Sequence, residues 1–254
     1  MKAEKTVRAA MIVIGSEILS GRTQDTNLNY LARGLNDVGI VLSEARIVSD
    51  AEEEIVAAVN ALRVRYDYVF TSGGIGPTHD DITAQCIANA FGVPLILNEE
   101  ARALMAAHYA KTGRELNAAR LRMAHTPEGA TLIYNPVSTA PGFKIENVYV
   151  MAGVPVVMQA MLDGLKSGLV GGRTVLSRSV GGLIGEGIMA QGLAAIQDEF
   201  PLLAIGSYPF YRPGGVAGTN IVIRHTDAEA IDAAIGEATE LIRSHGGEPE
   251  FGDG

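Results

Sequence analysis

The sequence predicts an α/β protein: a three-layer αβα domain around a mainly parallel sheet, followed by a small α+β domain. Three observations predict it. Short apolar runs alternate with stretches of helical periodicity through the first two thirds of the chain. Those runs are apolar throughout rather than at every second residue, as in strands covered on both faces. Beyond Gly168-Leu169-Val170-Gly171-Gly172 the order changes to strand, helix, strand, strand, helix. The expected division is 1–170 and 171–254.

The elements follow in order. Lys2, Lys5 and Arg8 precede the run Ala9–Ile14, which is too short for a signal-peptide core and reads as a buried first strand. Leu28, Leu31 and Leu35 recur at helical spacing, with Asp25 or Thr26 as N-cap and Gly39 as the stop. Ile40–Val48 reads as a strand. Glu52–Arg63 reads as a helix with Ile55, Val56, Val59 and Leu62 on one stripe and Ser49 or Asp50 as its cap. Tyr66–Thr71 is a third strand, and a helix is expected from Asp80 to Phe91. Helices at Glu99–Lys111 and Leu116–Met123 precede short strands near Thr131–Tyr134, Phe143–Ile145 and Val148–Met151. Pro155 opens a helix to Lys166, where its missing N–H costs nothing. The second domain reads as strand Thr174–Val180, helix Ile188–Phe200, strands Leu203–Ser207 and Asn220–Arg224, and helix Ala228–Ser244. Gly181–Gly187 reads as a flexible lead-in to a helix, and Tyr208–Gly215 as an exposed aromatic hairpin loop.

Composition narrows the function. The 254 residues carry a formal net charge of −9, with 47% hydrophobic and 19% charged residues. An acidic balance excludes a general nucleic-acid binder or membrane-surface protein, which need a basic face. No stretch approaches the length of a membrane span. The single cysteine, Cys86, permits no intramolecular disulfide, so a reducing, cytoplasmic location is expected. The five histidines show no zinc-type spacing, and no Gly-x-Ser-x-Gly elbow supports serine-hydrolase chemistry.

The most informative segment is Ser72-Gly73-Gly74-Ile75-Gly76-Pro77-Thr78-His79-Asp80-Asp81-Ile82-Thr83, which leaves an apolar strand and enters a helix. Ligands of open parallel sheets bind at that edge. Its glycines let the backbone approach a ligand, and N–H groups at a helix start attract anions. Asp80 and Asp81 suit phosphate bridged by a divalent cation. A tight turn with Asp80 as a cap explains one glycine and one Asp, but not three glycines, a proline and two Asp together. The loop after the first strand, Gly15 to Asn27, lies on the same edge, so Glu17 and Asp25 are candidates to join that cation. Asp50 follows the second strand, although capping alone also accounts for Asp25 and Asp50. Two further loops, Asn135–Phe143 and Met151–Pro155, are candidate walls against a flat ring or ribose.

These segments carry a resemblance. Ser72–Thr83 resembles the signature loop of the molybdopterin-binding (MoaB/Mog-like) domain family. Its Gly-Pro-Thr-x-Asp-Asp-x-Thr form is most similar to the branch containing the N-terminal domain of the competence/damage-inducible protein CinA. Gly15–Gly21 with Asp25-Thr26-Asn27, Asn135-Pro136 with Ala140-Pro141-Gly142, Gly153-Val154-Pro155 and Ile205–Pro209 resemble further segments of that branch, in order. The resemblance implies a homo-oligomer, dimer or trimer, acting on a small-molecule nucleotide or pterin. In the wider family it implies adenylylation of molybdopterin through Asp81 and Asp50. In the CinA branch, and in the similar domain of FAD synthase, it implies metal-dependent cleavage of a pyrophosphate such as ADP-ribose or FAD. The expected site is therefore Asp50 and Asp81 as catalytic residues. Glu17, Asp80 and Asp81 would hold Mg²⁺ or a similar divalent metal. Gly15, Ser72, Gly73, Gly74, Gly76, Pro77, Thr78, Thr83, Asn135, Gly142 and Gly153 would bind the ligand and its phosphates. Pterin binding with adenylyl transfer, with molybdopterin as ligand, and non-catalytic binding of a pterin or nucleotide are the alternatives. Ser138, Ala152 and Val156-Val157 depart from the branch, which commonly has glycine, proline and a Ser-Glu pair there.

Overall fold

The computed structural model describes residues 6–253, so Lys2 and Lys5 lie outside the described residues. The chain forms two compact units, divided between Arg173 and Thr174. The first contains β1 (Val7–Ile14), α1 (Ser16–Leu19), α2 (Asn27–Asp37), β2 (Ile40–Val48), α3 (Glu52–Arg63), β3 (Tyr68–Ser72) and α4 (Thr83–Phe91). It continues with β4 (Leu95–Leu97), α5 (Glu99–Lys111), α6 (Ala118–Leu121), β5 (His125–Pro127), β6 (Thr131–Ile133), β7 (Gly142–Ile145), β8 (Val148–Met151) and α7 (Pro155–Lys166). The main sheet has the order β2-β1-β3-β8-β7-β6. Its β1–β2, β1–β3 and β3–β8 pairs are parallel, and the β6–β7 and β7–β8 pairs are antiparallel.

Strand β1 shows why its run is continuously apolar. Ala10, Ile12 and Ile14 face the core shared with α3 and α4, while Ala9, Met11 and Val13 face the core shared with α2 and α7. Each face removes its side chains from water, and burial of that kind is worth about 1.5–3 kcal/mol for each large aliphatic residue. The three layers expected from the sequence are present.

Two helix starts differ from expectation. Asp50 does not cap α3, whose N-cap is Ala51 with no side-chain bond; its carboxylate is committed to the first loop instead. Helix α4 begins at Thr83 rather than Asp80, because Thr83 N–H donates to Gly74 O (3.0 Å) and closes the glycine loop first. Asp25 does support α2, accepting from Leu28 N–H at 2.9 Å. Gly39 takes φ 73°, the left-handed turn that ends this helix. The two-stranded sheet of β4 and β5 was not anticipated.

The second unit holds β9 (Leu176–Gly182), α8 (Glu186–Glu199), β10 (Ala204–Arg212), β11 (Val216–His225), α9 (Ala228–Ser244) and β12 (Glu250–Asp253). Its antiparallel sheet has the order β10-β11-β9-β12. Val180, Ile221 and Ile223 pack there against Met189, Ile231, Ile235 and Ile242 of the helices. Asp227 caps α9 by accepting from Glu229 and Ala230 N–H. Three corrections apply. The aromatic stretch Tyr208–Arg212 is strand paired to β11, and the turn is confined to 213–215, where Gly214 and Gly215 take positive φ. Gly181 and Gly182 belong to β9 and are not a lead-in: a Cβ on Gly182 would lie 2.7 Å from Ile242 Cγ2. Strand β12 adds an edge that the sequence reading omits. Among the described residues no helix is long and apolar enough to cross a membrane.

Candidate functional site

The C-terminal ends of β1, β2, β3 and β8 bring their loops to one edge of the sheet, as parallel strands must. The β6–β7 loop joins them there. Together they form a cleft of about 430 Å³ lined by Glu17, Asp50, Asp80 and Asp81. Gly73, Gly74, Gly76, Pro77, Asn135 and Gly153 complete the predicted residues at its wall. Asp25 lines a separate small chamber behind Glu17, so its expected place beside Asp80 and Asp81 is not realised.

Glycine allows the loops to meet. A Cβ on Gly73 would lie 2.1 Å from Ile14 O at the end of β1, and its φ of 113° is left-handed besides. Gly153 on the other side stands against Gly73 itself. A Cβ on Gly76 would fall 2.6 Å from Asp81 Oδ2, and one on Gly15 2.6 Å from Glu17 Oε1. Two of the cleft carboxylates therefore rest directly on glycine backbone.

The carboxylates are held in different ways. Asp81 Oδ2 accepts from Thr78 N–H (2.8 Å) and from the Thr78 hydroxyl (2.6 Å), which locks the turn. The Thr78 hydroxyl, shared between Asp81 and Asp80, and the Asp80 backbone N–H hold the Asp80 carboxyl below the usual carboxylate range, with smaller help from neighbouring His79 and Arg122. Asp50 Oδ2 accepts from Ser16 N–H at 2.8 Å, tying the second loop to the first.

Several expected ligand residues shape the cleft from beneath and do not line it. Thr83 is fully buried and donates to Gly73 O. Ser72 is buried and donates to Ala152 O. Gly142 permits close approach of β7 to Val150 O. Asn135 reaches the cleft, but its side chain is spent on its own loop. Its Oδ1 accepts from Val137 and Ser138 N–H, and its Nδ2 donates to Ser138 Oγ and Ala140 O. Ser138 is thus a working acceptor. Val157 faces the cleft as part of the core, whereas Val156 is exposed.

Two residues were missed. Asn27, 4% exposed, donates from Nδ2 to Ser72 Oγ (2.7 Å) and Gly153 O (2.8 Å), joining the ends of β3 and β8. Its place in Asp25-Thr26-Asn27 belongs to a segment that carries the resemblance, but no site role was expected of it. Arg122, whose charge reaches Asp80, comes from a one-turn 3₁₀ segment with no motif around it.

Among the described residues no group of three or more His, Cys, Asp or Glu is disposed to hold a metal alone. Mg²⁺ is ordinarily held by one or two carboxylates and completed by substrate phosphates.

A glycine-lined cleft bearing four carboxylates thus lies at the head of the parallel sheet. Residues 10–170 match the family described as "Probable molybdopterin binding domain", and the chain belongs to that family. Residues 174–247 match the middle domain of FAD synthase. A protein of Caldivirga maquilingensis is 38% identical over 93% of this chain and 91% of its own length. A CinA-like protein of Geotalea uraniireducens is 39% identical over 62% of this chain, which spans only 38% of that relative. The crystal structure of the protein CinA from Thermoplasma acidophilum, whose function is given as unknown, aligns with TM-score 0.59 and 34% identity. That alignment covers 64% of this chain and 98% of the other. The MoaB/Mog-like fold with CinA-like relatives is as the sequence implied.

Proposed function

We propose that the protein is a metal-dependent nucleotide pyrophosphatase acting on a substrate such as ADP-ribose or FAD. The observation that carries this reading is the convergence of Glu17, Asp50, Asp80 and Asp81 on one cleft walled by the glycine turn. Backbone N–H groups of that turn suit phosphate oxygens, while the carboxylates repel them unless a cation intervenes. One or two of Glu17, Asp80 and Asp81 would hold that cation together with the substrate phosphates. When bound, a divalent metal supplies charge neutralisation and lowers the pKa of a water. Asp50, steadied by Ser16 N–H, would orient the attacking water or a ribose hydroxyl. The likeness of the second unit to the FAD synthase middle domain is compatible with this substrate class.

The test is release of AMP from ADP-ribose or FAD by metal-stripped protein, with and without Mg²⁺, Mn²⁺ or Co²⁺. AMP is expected only with metal, and not from the Asp81→Asn variant, which keeps an acceptor for Thr78. Turnover without metal, or full activity in that variant, overturns the assignment.

A second reading, pterin binding with adenylyl transfer, is favoured by the family description and by Val157, an apolar residue at the cleft where the CinA branch commonly has glutamate. Adenylylation of a bound pterin with pyrophosphate released from ATP, and no AMP from ADP-ribose or FAD, selects it. Tight binding with no turnover under any metal selects a non-catalytic binding module.

A further inference from the structure

Among the described residues, Asn27 holds a buried side-chain oxygen without a hydrogen-bond partner. Its Nδ2 donates to Ser72 Oγ (2.7 Å) and Gly153 O (2.8 Å). Gly153 O can only accept, so the amide cannot be turned over, and Oδ1 is fixed on the side away from that carbonyl. A buried acceptor left unmet is costly, and such groups are normally completed by a water or an ion.

Asn27 lines the small chamber behind Glu17, together with Thr23, Gln24, Asp25 and Thr26. The volume, about 60 Å³, admits a few waters or one ion. It excludes an organic ligand, which needs about 300 Å³ or more. Asp25 uses one carboxylate oxygen for Leu28 N–H. Among the described residues neither Glu17 nor Asp25 is paired with a cationic side chain. No His, Cys or Met lines the chamber, so its donors are hard oxygens: two carboxylates, amide carbonyls and hydroxyls.

We propose that this chamber binds a divalent cation of the calcium class, separate from the metal of the substrate cleft. Ca²⁺ accepts carboxylates mixed with amide carbonyls in a flexible shell, whereas Mg²⁺ demands near-ideal octahedral geometry and keeps several waters. The cation fastens the first loop, from Glu17 to Asn27, to the ends of β3 and β8, because Ser72 and Gly153 hold the amide that faces it. The proposal does not depend on the reaction assigned to the cleft.

The test is the Tm of metal-stripped protein with CaCl₂ or MgCl₂ alone and no nucleotide, beside calorimetry for stoichiometry. One Ca²⁺ per chain is expected, with a Tm rise of about 5 °C or more at roughly 100-fold excess over Kd. Asp25→Asn keeps an oxygen for Leu28 N–H and removes a charge. It should leave the metal-free Tm unchanged and weaken Ca²⁺ binding at least about tenfold. Asp81→Asn, in the cleft, should keep the full Ca²⁺ response. No rise with Ca²⁺ overturns the proposal and leaves the chamber to buried water. A Ca²⁺ response lost in Asp81→Asn but kept in Asp25→Asn overturns it as well, since the ion then sits in the cleft. An equal Mg²⁺ response that Asp25→Asn also abolishes overturns the calcium assignment.

Discussion

Ser16 N–H donates to Asp50 Oδ2 at 2.8 Å, and Asp50 N–H lies 3.4 Å from Ser16 Oγ in return. This reciprocal pair couples the loops that follow β1 and β2, and it explains why Asp50 is absent from the cap of the helix it precedes. The acid is anchored through one oxygen and has the other free for the cleft.

Substitution at Asp50 should therefore separate geometry from charge. Asp50→Asn keeps an oxygen acceptor for Ser16 N–H, so Tm is expected to stay at the wild-type value while kcat falls at least about 100-fold. Asp50→Ala should lose both activity and about 1 kcal/mol of stability. Steady-state kinetics and thermal melts on the two variants decide the matter; unaltered kcat in Asp50→Asn defeats the role.

Gly73 and Gly76 predict different outcomes for the same mutation. Gly73→Ala introduces a Cβ 2.1 Å from Ile14 O at positive φ and should cost at least about 2 kcal/mol. Gly76→Ala meets only the Asp81 carboxylate, a side chain that yields by giving up its bonds from Thr78. It should cost about 1–2 kcal/mol, less in proportion to its effect on ligand binding and turnover than Gly73→Ala, and should weaken both. Urea denaturation read beside AMP release checks both halves, and a stable Gly73→Ala protein would contradict the close approach.

Asn27 should prove structural at a distance from its own helix. Asn27→Ala abandons two donors' worth of bonding to Ser72 and Gly153 and is expected to cost about 2–3 kcal/mol. Asn27→Asp should cost more, since it sets a carboxylate oxygen against Gly153 O. Chemical denaturation tells them apart; an Asn27→Asp variant as stable as wild type would show that Nδ2 makes neither bond.

Cys86 predicts a pH dependence. Burial between α3 and α4 pushes its thiol from near 9 up to about 11, with Glu52 adding a little. The folded state thus holds the proton more tightly, so this stabilisation is complete below pH 9 and is lost as pH climbs from 9 toward 11. Denaturation midpoints at pH 8 and 10.5 should drop less in Cys86→Ala than in wild type. A thiol reagent at pH 8 should modify Cys86 only after unfolding.

The carboxylates were legible because each follows an apolar strand, and a parallel sheet gathers such positions at one edge. Asn27 and Arg122 were not. Asn27 acts on residues 45 and 126 positions away, which no local pattern records. Arg122 bears on Asp80 from the segment just ahead of β5, and strands of three residues are too short to show a period. In the second unit, Pro209 and the glycines of 214–215 suggested a loop throughout, yet the β10–β11 ladder runs unbroken from Ala204 to Arg212. Cross-strand pairing overrode local composition there.

Beyond α7 the chain returns to the corner between α2 and β2. Gly172 N–H donates to Gly39 O at 2.9 Å, and any Cβ on Gly171 would strike Val38 O. These two residues act as a buttonhole through which the first unit fastens its own tail. An expression fragment stopped at Val170 would leave that fastening undone and expose the end of β2, whereas one carried through Arg173 would keep the corner shut. For anyone isolating the first unit, three added residues are the difference between a closed sheet margin and a fraying one.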